Sequence, residues 1–243
     1  MTLLRAEIGE RRRARTRERL IDAALRVFAR LGPDTPSIDD FIVEAGVARG
    51  TFYNYFDTVE DLRVAVAVAV AQRLAADMAV VRRLADPAER VGCTMRMYMH
   101  KAAEDPVFGW VIVRIALVAA PLGPAMRADL AADVKAGLAH GRFRCGTPQA
   151  AQDMILGTAV MGMRSVLRGE AGPDHAEAVA LMALTALGVR NAAAVARMKM
   201  DRQSLAARAE RGAARPRAPV RKTAAGKAAA VGRAGGRRGK NSV

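Results

Sequence analysis

The chain has 243 residues and a formal net charge of +15, from 39 basic and 24 acidic side chains. Hydrophobic residues make up 51% of the sequence but aromatic residues only 4%, which favours packed helices over a β-sandwich. We find neither a signal peptide nor an apolar run of about 20 residues. Arg114 interrupts the best candidate, residues 110–122. The sequence therefore predicts a soluble cytoplasmic protein without a membrane partner.

The reactive side chains do not form the pattern of a catalytic or metal centre. Cys93 and Cys145 are isolated, and the three histidines are scattered along the chain. These spacings match neither a zinc site nor a disulfide framework. No nucleophile–base pair, paired carboxylate site or glycine-rich phosphate loop stands out. We expect inert free thiols, no cofactor and no enzymatic activity.

The amino-terminal 13 residues begin without a clear apolar face and are predicted to form a flexible basic arm. Arginines recur at the end of this arm and beyond it, at positions 11, 12, 13, 15, 17 and 19. Such an arm can contact DNA phosphates or the minor groove, and the alternative is a solvated, frayed terminus. Leu20, Ala24 and Phe28 then mark one face of a first helix, which stops at Gly32-Pro33.

The most informative stretch runs from Ser37 to Phe56 and predicts two short helices joined by a tight turn. Ser37 is a good helix N-cap, and Asp40 three residues later completes a capping box. Gly46 ends the first helix, because glycine tolerates the left-handed conformation that a tight turn needs. In the second helix, Phe52 and Phe56 at positions i and i+4 turn inward.

The outward face of the second helix, expected over residues 49–55, is polar and aromatic. This is the layout of a helix-turn-helix whose second helix enters the DNA major groove. Arginine, threonine and asparagine there can reach base edges, tyrosine hydroxyls suit phosphates, and Gly50 permits close approach of the backbone. The alternative is a helical hairpin with exposed aromatic side chains. The predicted DNA-contacting residues are Ser37, Arg49, Gly50, Thr51, Tyr53, Asn54 and Tyr55.

This region resembles the signature of the TetR/AcrR family of bacterial transcriptional regulators. The resemblance covers roughly the first 70 residues and rests on segments 20–24, 45–47, 49–53, 55–56 and 60–62, with Phe28 and Gly32. It implies dimers on double-stranded operator DNA and a fourth helix whose tilt sets the spacing of the two recognition helices. Family members often carry a phosphate-binding lysine near the start of that helix, where this chain has Val59.

The remainder of the chain is expected to be helical. Thr58 and Asp61 form a second capping box, which favours one long helix to about Leu84 despite the strand-like alternation of valine and alanine over residues 64–71. Breaks at proline and glycine then delimit five further helices, at about 88–103, 107–120, 125–140, 147–168 and 173–200.

Two surfaces of this helical half carry functional hypotheses. The helices near 148–168 and 173–200 present small residues that allow close packing and are expected to form the homodimer surface; the alternative is packing inside one chain. Met97, Tyr98, Phe108, Trp110 and Val111 are soft or aromatic and are predicted to line an apolar effector pocket, with plain core as the alternative. His100 and His140 are candidate polar contacts.

Residues 201–243 differ from the rest in composition. They hold 12 basic against 2 acidic residues, with alanine, glycine and proline and almost no large apolar side chain. Such a segment is predicted to be disordered, because it cannot bury enough apolar surface to fold. It either adds salt-sensitive affinity for DNA or is a solvated tail without a role.

The sequence thus predicts an all-α protein. We expect an arm (1–13), a three-helix helix-turn-helix domain (14–74, motif 37–56), a helical effector-binding and dimerisation domain (75–200) and a basic tail (201–243). The expected function is a dimeric, nucleoid-associated repressor released from a near-palindromic operator by a small apolar effector. The alternative is a nucleoid-type DNA-coating protein whose binding is dominated by the tail.

Overall fold

The computed structural model describes residues 2–32, 34–116 and 122–213, and every regular element in these ranges is helical. The predicted all-α fold is confirmed. The helices are α1 (Thr2–Leu31), α2 (Ile38–Ala45), α3 (Arg49–Tyr53), α4 (Val59–Arg82), α5 (Pro87–Glu104), α6 (Pro106–Val111), α7 (Leu122–Ala139), α8 (Pro148–Leu167), α9 (His175–Ala186), α10 (Ala192–Ala196) and α11 (Arg202–Ala213).

Helices α1, α2 and α3 form the amino-terminal unit around a core of phenylalanines. Phe28 of α1 meets Phe41 of α2 edge-to-face, with ring centroids 5.2 Å apart. Phe52 of α3 is fully buried, and Phe56 after α3 is almost fully buried. The inward positions expected for Phe52 and Phe56 are therefore confirmed, and both side chains join the main core beside α2.

The amino-terminal arm differs from its prediction, because α1 begins at Thr2 rather than near residue 14. Residues 2–13 are mostly leucine, alanine, glutamate and arginine, which have high helix propensity. Their basic charge suggested an arm, but the same side chains sustain a helix. Arg11, Arg12, Arg13 and Arg15 are exposed on it.

Helix α4 is continuous through its alternating valine and alanine residues. At its start the Thr58 hydroxyl oxygen accepts a hydrogen bond from the Asp61 N–H (3.1 Å), and the Asp61 carboxylate accepts one from the Thr58 N–H (2.9 Å). By length and composition alone α4 is apolar enough to cross a membrane, so the expectation that no such run exists is wrong. Its apolar residues serve several faces, because α1, α5, α7 and α11 all pack against it.

Helix α5 occupies the centre of the carboxy-terminal bundle and packs against α6, α7, α8, α9 and α10. Its start is fixed by the Asp86 carboxylate, which accepts from the Ala88 N–H (2.9 Å), and by Pro87 in the first turn. Helix α6 runs into a π-helical turn, Ile112–Ala116. The last residues of the helix predicted over 107–120 lie outside the described residues.

The carboxy-terminal helices differ from prediction in two places. The helix expected over 173–200 is broken between α9 and α10, where Gly188 adopts a positive φ of 72° and the Leu187 carbonyl accepts from the Arg144 N–H (2.8 Å). The tail expected to be disordered from residue 201 begins with helix α11, whose Leu205 and Ala209 are buried. Residues 214–243 of that tail lie outside the described residues.

Candidate DNA-binding surface and effector cavity

The turn between α2 and α3 is held from both sides. Gly46 has a φ of 62°, the left-handed conformation expected for it, and the Val47 N–H donates to the Ile42 carbonyl (3.0 Å). From α1, the Arg19 guanidinium donates to the Ala45 carbonyl (2.7 Å). The sequence placed Arg19 only among basic residues, so its bracing role was missed.

Ser37 is engaged within its own helix. Its backbone N–H and its hydroxyl both donate to the Asp40 carboxylate, at 2.8 and 2.7 Å. These two hydrogen bonds lower the pKa of Asp40. The hydroxyl proton of Ser37 is thus committed to the cap, and a DNA phosphate would have to compete for it.

Arg49 is exposed at the start of α3 and already has a partner. Its Nη1 lies 3.0 Å from the Asp39 carboxylate of α2, and more than half of each side chain is exposed. A hydrogen bond with Tyr53 and the charge of Asp39 raise the pKa of Arg49. Sequence reasoning missed Asp39. Val43, one turn further along α2, is 80% exposed.

The other predicted DNA-contacting residues form two groups, one exposed and one half-buried. Gly50 is exposed, and a Cβ built on it would meet nothing within 4 Å, so the packing of the chain does not require glycine there. Tyr53 is 47% exposed, and Asn54, which caps α3, is exposed. Thr51 and Tyr55 are half-buried, and Tyr55 packs against the main core. Gly50, Tyr53 and Asn54 therefore share the outer surface with Arg49.

A cavity of about 290 Å³ lies among α4, α5, α7 and α8 and is predominantly apolar. The π-helical turn contributes Ile112 to its wall. The residues lining it include Leu74, Met78 and Arg82 of α4, Thr94, Met95 and Tyr98 of α5, Met126, Asp129, Leu130 and Asp133 of α7, and Ile155, Ala159 and Met163 of α8.

Of the five residues predicted to line an effector pocket, the structure brings only Tyr98 to this cavity. Burial raises the pKa of Tyr98 to about 12, with a smaller contribution from Asp129. Phe108 and Val111 are buried in the main core, and Trp110 packs against it. Met97 points to a separate apolar cluster, the α11 cluster, formed by Val81, Leu84, Cys93, Leu205 and Ala209.

The remaining candidate polar contacts lie elsewhere. His100 is exposed and its Nε2 is 3.7 Å from Glu177, while His140 is exposed after α7. Neither lines the cavity. Cys93 is fully buried in the α11 cluster, and burial raises the pKa of its thiol to about 12, while Cys145 is half-buried.

The π-helical turn connects the cavity wall to the amino-terminal unit. Two residues after Ile112, the Arg114 guanidinium stacks over Trp110, 4.8 Å from the ring centroid. Its Nη1 donates to the Arg30 carbonyl at the end of α1 (2.7 Å). Such π-helical turns often occur at functional sites.

Two family models match the chain in tandem. Residues 20–66 match "Bacterial regulatory proteins, tetR family", and residues 86–199 match "Tetracyclin repressor-like, C-terminal domain". The chain belongs to the TetR family. The resemblance seen in the first 70 residues is thereby confirmed and extends to the helical half.

The sequence relatives match only part of the chain. The Mycobacterium tuberculosis (strain H37Rv) HTH-type transcriptional regulator Rv1255c is 29% identical over 100 residues, which are 41% of this chain and 50% of that protein. Bacillus subtilis (strain 168) YvdT is 42% identical over 50 residues, 21% of this chain and 26% of that protein. This TetR-family chain thus spans about half or less of the length of these curated relatives.

Two solved structures are similar to this chain over most of its length. RolR in complex with resorcinol is 27% identical, with a TM-score of 0.54 over 87% of this chain and 99% of that chain. FadR from Bacillus subtilis in complex with stearoyl-CoA is 21% identical, with a TM-score of 0.56 over 70% of this chain and 96% of that chain. At that identity, the FadR likeness concerns the fold.

Proposed function

We propose that the protein is a homodimeric repressor that binds a near-palindromic DNA operator and releases it when a small apolar molecule enters the cavity. One observation carries the proposal. Helix α4 packs against α1 of the amino-terminal unit and also lines the cavity. An occupant that shifts α4 would therefore move the unit that holds α3. Such a ligand changes DNA affinity only by its differential affinity for the two conformations.

The amino-terminal unit, residues 14–74, supplies the proposed DNA contacts through the outer surface of α3. Arg49 is suited to guanine, Asn54 to adenine and Tyr53 to phosphate. Gly50 supports this assignment, because the open space beside its Cα would admit a DNA backbone. Ser37 and Tyr55 are weaker candidates, since one is committed to a helix cap and the other packs against the core.

The helical body, residues 75–200, supplies the proposed dimer surface and effector site. On α8, Met161 is 58% exposed, and on α9, Met182 is 72% exposed. Ala180 and Leu184 of α9 and Leu187 after it are buried inside the chain, as are Ile155 and Ala159 of α8. The surface is therefore proposed on the exposed faces of both helices. Two chains joined there would present two α3 helices to half-sites about 34 Å apart.

The cavity supports a small apolar effector. Its lining is predominantly apolar, and helices α4, α5, α7 and α8 bound it. RolR, with 27% identity, is solved with resorcinol, and we carry over only the inference that this chain also binds a small molecule.

Selection from a random duplex DNA pool with the full chain tests the proposal. We expect a recovered sequence with two related half-sites. Tyr53→Ala and Asn54→Ala should each weaken binding to it at least about tenfold, because each removes a base or phosphate contact. Val107→Ala, at an exposed position on α6, is the matched control. Unchanged affinity in both α3 variants, with folds intact by circular dichroism, would refute the α3 assignment.

The charge of the tail favours one alternative, a DNA-coating protein. Residues 201–243 hold 12 of the 39 basic residues. A truncation after Ala213 retains α11 and removes only the segment beyond it. If coating is the function, this truncation should abolish most binding and flatten its salt dependence. The repressor proposal expects the truncated chain to keep its sequence preference.

A further inference from the structure

Two polar atoms of cavity-lining residues are buried without a hydrogen-bond partner among the described residues: Thr94 Oγ1 and Arg82 Nε. Both residues line the cavity, from α5 and α4 respectively. Buried polar groups are nearly always paired in folded proteins, because an unpaired one has lost its hydrogen bonds to water without replacement. A molecule in the cavity that both residues line would supply the missing partner for each atom.

The charged side chains that line the cavity are already paired with one another. The Asp133 carboxylate, only 5% exposed, accepts from Arg82 Nη2 (2.7 Å) and from Arg90 Nε (2.6 Å). Asp129 lies 3.6 Å from Arg82 Nη1. An anionic ligand would meet two carboxylates on the wall, and these already balance the charge of Arg82 although its Nε–H is unpaired. A cation would be buried against apolar side chains with both oxygens of Asp133 already used, so a charged ligand of either sign is disfavoured.

We propose that the cavity binds an uncharged molecule with an apolar body and one oxygen atom, a hydroxyl or a carbonyl, placed between Arg82 and Thr94. This rests on the proposed function, whose effector site it specifies. The oxygen accepts a hydrogen bond from Arg82 Nε–H; a hydroxyl also donates to Thr94 Oγ1, whereas a carbonyl accepts from it. The apolar body lies against Leu74, Met95 and Ile112.

Three compounds that share one ring system test this class: 2-naphthol, naphthalene and 2-naphthoate. Each is titrated into the full chain at pH 7 and its affinity measured by equilibrium dialysis, with the unfolding temperature as a second measurement. We expect 2-naphthol to bind best. It should exceed naphthalene by about 3–10-fold, the worth of a hydrogen bond. The carboxylate compound should bind weakest.

The variant Thr94→Val tests whether Thr94 causes the preference for 2-naphthol over naphthalene. This change keeps the side-chain shape and removes the unpaired hydroxyl, so the unliganded variant should be no less stable than the wild type. Its preference for 2-naphthol over naphthalene should fall by about 3–10-fold. Thr158→Val is the matched control, because Thr158 is also half-buried on a helix but donates to the Met154 carbonyl (2.7 Å) and does not line the cavity.

The outcomes separate the ligand class from the proposed function. Equal binding of naphthalene and 2-naphthol, tighter binding of 2-naphthoate, no binding of any of the three, or an unchanged preference in Thr94→Val would each overturn the inference. If 2-naphthol binds through Thr94 but leaves the complex with the selected DNA intact, the ligand class stands and the repressor-release proposal fails.

Discussion

At the scale of single residues, the Asp39–Arg49 pair is an unexpected feature of the proposed DNA-binding surface. An exposed carboxylate there repels phosphates, so it weakens sequence-independent binding. It also pairs with the Arg49 guanidinium, 3.0 Å away, and so favours one direction of that side chain. A directed guanidinium favours bidentate contact with guanine over loose contact with the backbone. We therefore expect Asp39 to influence DNA specificity through Arg49.

Asp39→Asn should therefore raise affinity for unrelated DNA and reduce discrimination. We expect the ratio of affinities for selected and scrambled duplexes to fall about tenfold, near the lower part of the range for one bidentate base contact. Titrations of both duplexes at two salt concentrations measure this. Asp174→Asn is the control, because it removes the same charge from an exposed residue at the start of α9. An equal effect from both variants would reduce the role of Asp39 to net charge.

A second residue pair, Arg96 and Glu177, makes stability depend on pH. Arg96 is almost fully buried and donates to Glu177 from Nε (3.0 Å) and to the Met198 carbonyl from Nη1 (2.7 Å). Burial alone would raise the pKa of Glu177, but the Arg96 hydrogen bond and the nearby charges outweigh it, and the net pKa is lowered. The stabilisation is therefore complete above the unfolded-state pKa and is lost as the pH falls through the folded-state pKa.

We expect Glu177→Gln to cost about 1–2 kcal/mol of unfolding free energy at pH 7, since it removes a charged hydrogen-bond acceptor. The difference from wild type should shrink on acidification, because the wild-type carboxylate then becomes neutral. Urea unfolding from neutral to acidic pH measures it. Glu170→Gln, in an exposed pair with Arg168, should change stability by about 0.5 kcal/mol or less. A pH-independent difference would contradict the assignment.

At the scale of elements, α11 packs against the carboxyl end of α4 and covers its apolar side chains; we call this contact the clamp. Leu205 and Ala209 bury Val81, Leu84 and Cys93, and the Arg208 guanidinium pairs with Glu89 of α5. The family model of the helical half ends at residue 199, so α11 adds to the matched domain. Because Arg82 of the cavity is next to Val81, α11 stabilises the segment of α4 that would sense a ligand.

Leu205→Ala should destabilise the protein by about 2–3 kcal/mol, the lower range for a buried leucine. It should also expose Cys93, whose thiol is inert while fully buried. The exposure is measured as the rate at which a thiol reagent labels Cys93 at mildly alkaline pH, in a Cys145→Ser variant that removes the other thiol. The truncation after Ala213 keeps the clamp and should leave both the stability and the Cys93 labelling rate unchanged. Equal labelling of Cys93 with and without the Leu205 side chain would contradict the clamp.

The elements also show where sequence reasoning succeeds. Caps at Ser37 and Thr58, Gly46 and the Phe52/Phe56 spacing act locally, so the helix-turn-helix was predictable. The cavity was not predictable, because its lining residues are spread over residues 71–163. The neighbours Met97 and Tyr98 also differ, since Met97 packs on the α11 cluster and Tyr98 lines the cavity. Helix α11 was not predicted, because the composition was judged over all of residues 201–243. That average conceals Leu205 and Ala209, which lie one helical turn apart and are both buried.

At the scale of the whole molecule, the proposed function needs two chains, because a palindromic operator has two half-sites. The exposed methionines of α8 and α9 are the centre of the proposed dimer surface. Met161 and Met182 are among the most exposed large apolar side chains on the described surface, and the helices that carry them pack together. Gly157 and Arg164 flank Met161 on the same exposed face of α8. A stable dimer buries about 800 Å² per partner, which the exposed faces of two long helices can supply.

Met182→Lys should therefore convert the dimer to monomer at micromolar concentration, since a buried, unpaired lysine costs several kcal/mol at the interface. Sedimentation velocity measures the mass, and binding to the selected palindrome should fall in parallel while binding to a single half-site stays the same. Val107→Lys makes the same change at an exposed position on α6 and should remain dimeric. A wild type that sediments as a monomer would contradict the dimer, and a dimeric Met182→Lys variant would place the interface on another face.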